Sequence, residues 1–129
     1  MHDQPRLFSA DLCDCEALAS FDPQALADAF GAALIGAGAT IVGRAMHVFP
    51  GAGVTCVLLL AESHAVLHTW PETGTVNIDI FSCSSRLRSL AAVEEMRQLL
   101  GARGISVQEI ARADGRARAG QLPPPLSQS

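Results

Sequence analysis

Between residues 62 and 83 the chain gathers groups that acyl chemistry needs: Ser63 directly after Glu62, imidazoles at His64 and His68, and a thiol at Cys83. A serine hydroxyl can attack the carbonyl carbon of the residue before it and turn the amide into an ester, provided the turn is strained and a base is near. Either imidazole, with an ordinary pKa of about 6.5, can transfer protons near neutrality. Cys83 carries an ordinary thiol, pKa about 8.5, which is mostly protonated at pH 7. Each residue type also has a plain structural reading. A serine can sit in an ordinary turn, a core histidine can be satisfied by one backbone hydrogen bond, and a cysteine can pack as a small apolar residue, the fate expected of Cys13, Cys15 and Cys56. His47, His64, His68 and Cys83 are also metal-ligand types, and His64 and His68 would share one face if their segment were helical. The strand-like, β-branched surroundings and the pair Trp70-Pro71 argue against a helix, so no metal is expected.

These groups must be held by elements that the sequence pattern marks out. Residues 7–13 alternate loosely as a first strand, and Asp22 can cap a helix that starts at Pro23. Leu26, Ala29, Phe30, Ala33 and Leu34 recur at helical spacing, and Gly36 or Gly38 should end that helix. A strand is predicted from Thr40 to Phe49, and a turn over residues 50–53 leads to a strand over 54–61 that is apolar on both faces, with Thr55 its only polar side chain. Strands over 64–70 and 75–83 follow, separated by Pro71, Glu72, Thr73 and Gly74. Leu90, Val93, Met96, Leu99 and Leu100 mark a second helix ended by Gly101 or Gly104, and residues 105–110 can add a last strand.

Short links between the middle strands favour antiparallel neighbours, so the expected fold is α+β: a largely antiparallel sheet with two helices on one face. The other face is then bare. Exposed apolar surface costs about 25 cal/mol per Å², which predicts a face-to-face homodimer, an αββα sandwich. Residues 1–112 should form one domain, and the segment 113–129, with three prolines and few apolar anchors, is predicted to be disordered.

Composition narrows the partners. With 129 residues the chain can bury a real core without staples. A net charge of −4 removes any basic footprint for nucleic acid and gives no reason to expect a membrane surface, so a small or cationic ligand is expected. Four cysteines without a CxxC pair, behind a polar start, fit reduced thiols in a cytosol, and no apolar run approaches the roughly 20 residues that span a bilayer.

The segments Glu62-Ser63-His64 and His68-Thr69-Trp70-Pro71-Glu72, followed by Cys83 after Asp79-Ile80-Phe81-Ser82, resemble the prokaryotic S-adenosylmethionine decarboxylase proenzymes, with similarity running from about Thr40 to Cys83. The resemblance implies self-cleavage between Glu62 and Ser63 and conversion of Ser63 to a pyruvoyl group, which forms a Schiff base with the substrate amine and acts as electron sink. It implies His68 as processing base and Cys83 as the acid that reprotonates the substrate. Phe49 would stack on the adenine and Glu72 hold the ribose, both partly across the homodimer. The expected activity is decarboxylation of S-adenosylmethionine to the aminopropyl donor of spermidine synthesis. A pyruvoyl-dependent arginine or ornithine decarboxylase is the alternative, because Ala65, Thr73, Thr75, Ser84 and the stretch Arg6 to Ser9 depart from the common pattern around the pocket. A non-cleaving dimer that binds a small molecule is the second.

Overall fold

In the computed structural model, which describes residues 4–115, one sheet carries six strands: β1 (Arg6–Cys15), β2 (Ile41–Val48), β3 (Val54–Leu60), β4 (Ser63–Trp70), β5 (Thr75–Ser82) and β6 (Ala102–Ala111). Two helices, α1 (Pro23–Gly36) and α2 (Ser89–Leu100), interrupt them, and a single 3-10 turn covers Leu18–Ser20. The spatial order is β2-β3-β4-β5-β1-β6 with every neighbouring pair antiparallel. The expected α+β layout is what the chain adopts. The expected tail falls outside the described residues beyond position 115.

Local chemistry explains where the helices begin and end. Asp22 accepts a hydrogen bond from the Ala25 N–H at 2.7 Å, and Pro23 takes the first helical position, where its missing N–H costs nothing. The helix closes at Gly36, and Gly38 turns the chain at φ 105° with the Arg86 carbonyl oxygen 2.5 Å from where a Cβ would stand, so no other residue fits there. At the end of α2, Gly101 takes the left-handed conformation at φ 63°.

Strands β3, β4 and β5 alternate cleanly. Val54, Cys56, Leu58 and Leu60 of β3, Ala65 and Leu67 of β4, and Val76, Ile78 and Ile80 of β5 are buried under the helices with Phe30, Leu34, Val93 and Met96. The residues between them form the opposite, open face, and the registers arrange these in rows across the sheet. One row runs Gly43, Leu59, His64, Phe81, Leu7, Ile110; the next runs Ala45, Val57, Val66, Asp79, Ser9, Gln108. A third runs His47, Thr55, His68, Asn77, Asp11, Ser106. The apolar row is the one nearest Ser63, and Leu59 within it is 53% exposed.

Candidate active site

Ser63 opens β4 and pairs with Leu60, so the connection from β3 is a two-residue loop, Ala61–Glu62. Of these two only Glu62 has positive φ, at 62°, a conformation that glycine or asparagine usually supplies at such a turn. A side chain there costs roughly 1–2 kcal/mol. The strain that the proposed acyl shift requires is therefore located at the residue whose carbonyl Ser63 would attack. The loop is pinned from behind by the Ala61 N–H, which donates to the Thr40 carbonyl at 2.9 Å.

Cys83 lies beside it, just past the end of β5. Its backbone N–H donates to Ser63 Oγ at 3.2 Å. Burial first, and then the Glu62 carboxylate, push the Cys83 thiol above its ordinary value, which keeps it protonated. Downstream, Ser82 Oγ donates to the Ser84 carbonyl at 3.1 Å, the Ser84 N–H donates back to Ser82 Oγ, and Ser84 Oγ accepts from the Arg86 N–H at 3.0 Å. Three hydroxyls and one thiol thus line a short, internally bonded corner.

His68 belongs to the other end of the sheet. Its Nδ1 lies 2.6 Å from Thr55 Oγ1, directly across the β3–β4 pairing. The ring is bracketed by Trp70 at 4.6 Å and Phe49 at 5.9 Å, both edge-on, and Phe49 in turn meets His47 at 4.6 Å. Phe49 is 42% exposed, and Glu72 is exposed in the turn that follows Trp70. Trp70 Nε1 donates to Asn77 Oδ1 at 2.6 Å, and Asn77 Nδ2 donates to Asp11 Oδ1 at 2.7 Å, so the tryptophan at this end is fixed by a chain of polar contacts.

The structure therefore brings Ser63 and Cys83 together, and separately brings His68 and Phe49 together at the end that also carries Glu72. It does not bring the two groups to each other within one chain. Five strand residues at about 3.3 Å each put His68 roughly 16 Å from Ser63 along β4. Alternation also sends the His68 side chain to the open face, as it does the His64 side chain, which stacks on Phe81 at 5.1 Å. Because this segment is a strand, His64 and His68 stand two pleats apart and share no helical turn. Thr55 is the partner that reasoning from sequence passed over. Its signal was present, as the one hydroxyl in an otherwise apolar strand.

The fold and the two corners first define a class: an α+β layer protein whose reactive groups are divided between the two ends of one open-faced sheet. Comparison with known proteins makes this specific. A family model described as S-adenosylmethionine decarboxylase matches residues 6–113. An S-adenosylmethionine decarboxylase proenzyme of Prochlorococcus marinus (strain MIT 9313) is 37% identical over 102 residues, covering 79% of this chain and 82% of the relative. One from Pseudomonas aeruginosa (strain LESB58) is 35% identical over 112 residues, covering 87% and 70%. The crystal structure of the adenosylmethionine decarboxylase from Aquifex aeolicus VF5 superposes with a TM-score of 0.74 over 92% of this chain and 99% of that one, at 23% identity, a likeness of fold. The chain belongs to the S-adenosylmethionine decarboxylase family.

Proposed function

We propose that the chain is a self-processing, pyruvoyl-dependent decarboxylase of S-adenosylmethionine, working in the cytosol as a homodimer that supplies the aminopropyl donor for spermidine synthesis. The observation that carries the reading is the Ser63 corner: a hydroxyl following a residue at φ 62°, with the Cys83 N–H on its oxygen at 3.2 Å. Four unpaired cysteines fit a reducing compartment.

Processing begins with attack of Ser63 Oγ on the Glu62 carbonyl carbon. The amide C–N bond breaks as the Oγ–C bond forms, and the strained turn relaxes. A base then takes the Ser63 α-proton, the Cβ–Oγ bond breaks, and Oγ leaves with Glu62 as the second oxygen of a new α-carboxylate. The dehydroalanine left behind takes up water and releases ammonia, so that residue 63 ends as a ketone at a new chain start. The corner fits this group, since it has the nucleophile, the strain and, with its backbone N–H on Ser63 Oγ, a cysteine whose thiol is kept neutral. When formed, the pyruvoyl group supplies an electron sink for the carbanion left by departing carbon dioxide.

The rest is work for this chain's side chains. Cys83, held neutral chiefly by burial, gives its proton to the substrate carbon. His68 is the processing base; the tautomer that serves donates Nδ1–H to Thr55 Oγ1 and leaves Nε2 free to accept. Since a base must come within about 3 Å of its proton, His68 cannot reach Ser63 of its own chain. Two open sheets packed face to face about a two-fold axis that runs across the strands set the His68 end of one against the Ser63 end of the other, and cover the row of Leu59, Phe81, Leu7 and Ile110 at the same time. Phe49 and Glu72, beside that His68, then offer a ring face and a carboxylate to the nucleoside part of a substrate held on the partner's residue 63.

Denaturing mass spectrometry of the purified protein tests the processing, with two chains that divide after Glu62 as the expected result. Release of labelled carbon dioxide from S-adenosylmethionine, arginine and ornithine in parallel tests the substrate; release from arginine or ornithine alone would overturn the assignment.

A further inference from the structure

Cleavage makes a group that the uncleaved chain lacks: the α-carboxylate of Glu62. One of its oxygens is the former Ser63 Oγ, which starts 3.2 Å from the Cys83 nitrogen. Left there, the new anion would stand against the proton donor and in the space that a substrate needs at residue 63. Glu62 itself is exposed and free to swing, because the bond that fixed its C-terminal side no longer exists.

A cavity of about 180 Å³ opens directly beside this bond, with Glu62, Ser63, Thr40, Ser84 and Arg86 in its wall. Gly38, Ala39, Leu60, Ala61 and Leu87 complete the wall, so Arg86 is the one cationic residue that lines it. Arg88, two residues beyond Arg86, is already committed, donating from Nη2 to the Gly36 carbonyl at the end of α1 at 3.0 Å. Arg86 is exposed and enters no ion pair among the described residues; its backbone is fixed by the N–H bond to Ser84 Oγ and by the close approach of its carbonyl to Gly38. A cation on an anchored backbone thus shares a small cavity with the residue that acquires a new carboxylate on cleavage.

We propose that Arg86 is the receptor for the Glu62 α-carboxylate: after cleavage the guanidinium takes the new chain end into this cavity and holds it clear of Ser63 and Cys83. The site is empty of its ligand in the precursor and filled by processing, and its planar fork matches a carboxylate in a way that a lysine does not. The inference rests on the self-cleavage reading.

The test uses the processed protein and reads the mass of the 1–62 chain during native digestion with a carboxypeptidase. Glu62 of the wild type should be trimmed slowly and that of Arg86→Gln about fivefold faster, the change expected for loss of an exposed ion pair at the strong end of its range, with Arg86→Lys between them. Thermal melting supplies the second readout: Arg86→Gln should lower the midpoint of cleaved protein and leave that of the uncleavable Ser63→Ala background unchanged. Equal trimming of wild type and Arg86→Gln would overturn the proposal, and so would equal melting shifts in the two backgrounds, which would make Arg86 an ordinary structural residue. A wild type that stays one chain under denaturing conditions refutes the self-cleavage reading and this inference with it; normal cleavage with no Arg86 effect refutes this inference alone.

Discussion

If Ser63 and His68 meet only across a dimer, two inactive chains should repair each other. His68→Ala keeps the Ser63 corner and loses the base; Ser63→Ala keeps the base and has nothing to cleave. The geometry gives the magnitude. Within one chain the two residues are about 16 Å apart along β4, against the roughly 3 Å that proton transfer demands, so no rearrangement short of breaking the sheet joins them in cis. In a random mixture of equal amounts half of the His68→Ala chains find a Ser63→Ala partner, and each such heterodimer holds one competent pairing. About half of the His68→Ala chain should therefore be cleaved on co-expression, and a quarter of the wild-type number of sites formed. The assay is denaturing mass spectrometry, with the two variants distinguished by tag mass. The refuting result is specific: His68→Ala cleaving at the wild-type rate on its own, or remaining intact in the mixture although heterodimers are isolated, would remove His68 as the base acting between chains.

Cys83→Ala should still cleave but lose roughly 100- to 10,000-fold in turnover, and since the thiol is raised, the alkaline limb of the wild-type rate should lie above the range of an ordinary thiol; a Cys83→Ala chain that fails to cleave would show that the processing and turnover roles had been divided wrongly. Thr55→Val removes the hydroxyl on His68 Nδ1 while keeping the shape of the side chain, and should lengthen the processing half-time about tenfold in a time course of precursor mass; an unchanged half-time would mean that His68 is oriented by its aromatic neighbours. Burial, then Cys13 and Asp14, push the Cys15 thiol up to about 11 from 9.0. Below 9.0 the thiol is neutral folded and unfolded; between 9.0 and about 11 only the unfolded chain ionises, so stability falls as pH rises through that window by on the order of 2 kcal/mol. Urea melts across it should show a shallower fall for Cys15→Ala, and parallel slopes would refute the assignment.

The elements were legible because punctuation and periodicity agree. Asp22-Pro23 and Gly101 mark helix ends for reasons internal to the backbone, and the doubly apolar run from Val54 required cover on both sides. The strand ends moved by one or two residues, and β6 began at Ala102, three residues before the expected start, because pairing with β1 as far as Cys15 extends it. The proximity of Ser63 and Cys83, twenty residues apart, follows from β4 and β5 being antiparallel neighbours, which the intervening turn announces. Two things were not readable. The positive φ of Glu62 is a property of the pairing register on either side of the loop, not of glutamate. The division of the site between two ends of the sheet depends on β4 running unbroken from Ser63 to Trp70, and the one-dimensional closeness of Ser63 and His68 gave the opposite impression.

The strand order has one more consequence. Cutting after Glu62 assigns β1, β2, β3 and α1 to one chain and β4, β5, α2 and β6 to the other, yet β1 lies between β5 and β6. The two products are interleaved, with neither owning a continuous sheet. In the first, β1 is severed from the β2–β3 hairpin; in the second, β6 has no strand to pair with. The two products would thus be held together by pairing across the cut, β3 on β4 and β1 on both β5 and β6. Processing as proposed would turn an intramolecular folding problem into a bimolecular one, so unfolding of the cleaved protein should become concentration-dependent and hard to reverse while the Ser63→Ala precursor refolds by itself. Under the proposed cleavage, the peptide bond given up to make the reactive group is also the one that joined the two interleaved halves while they folded.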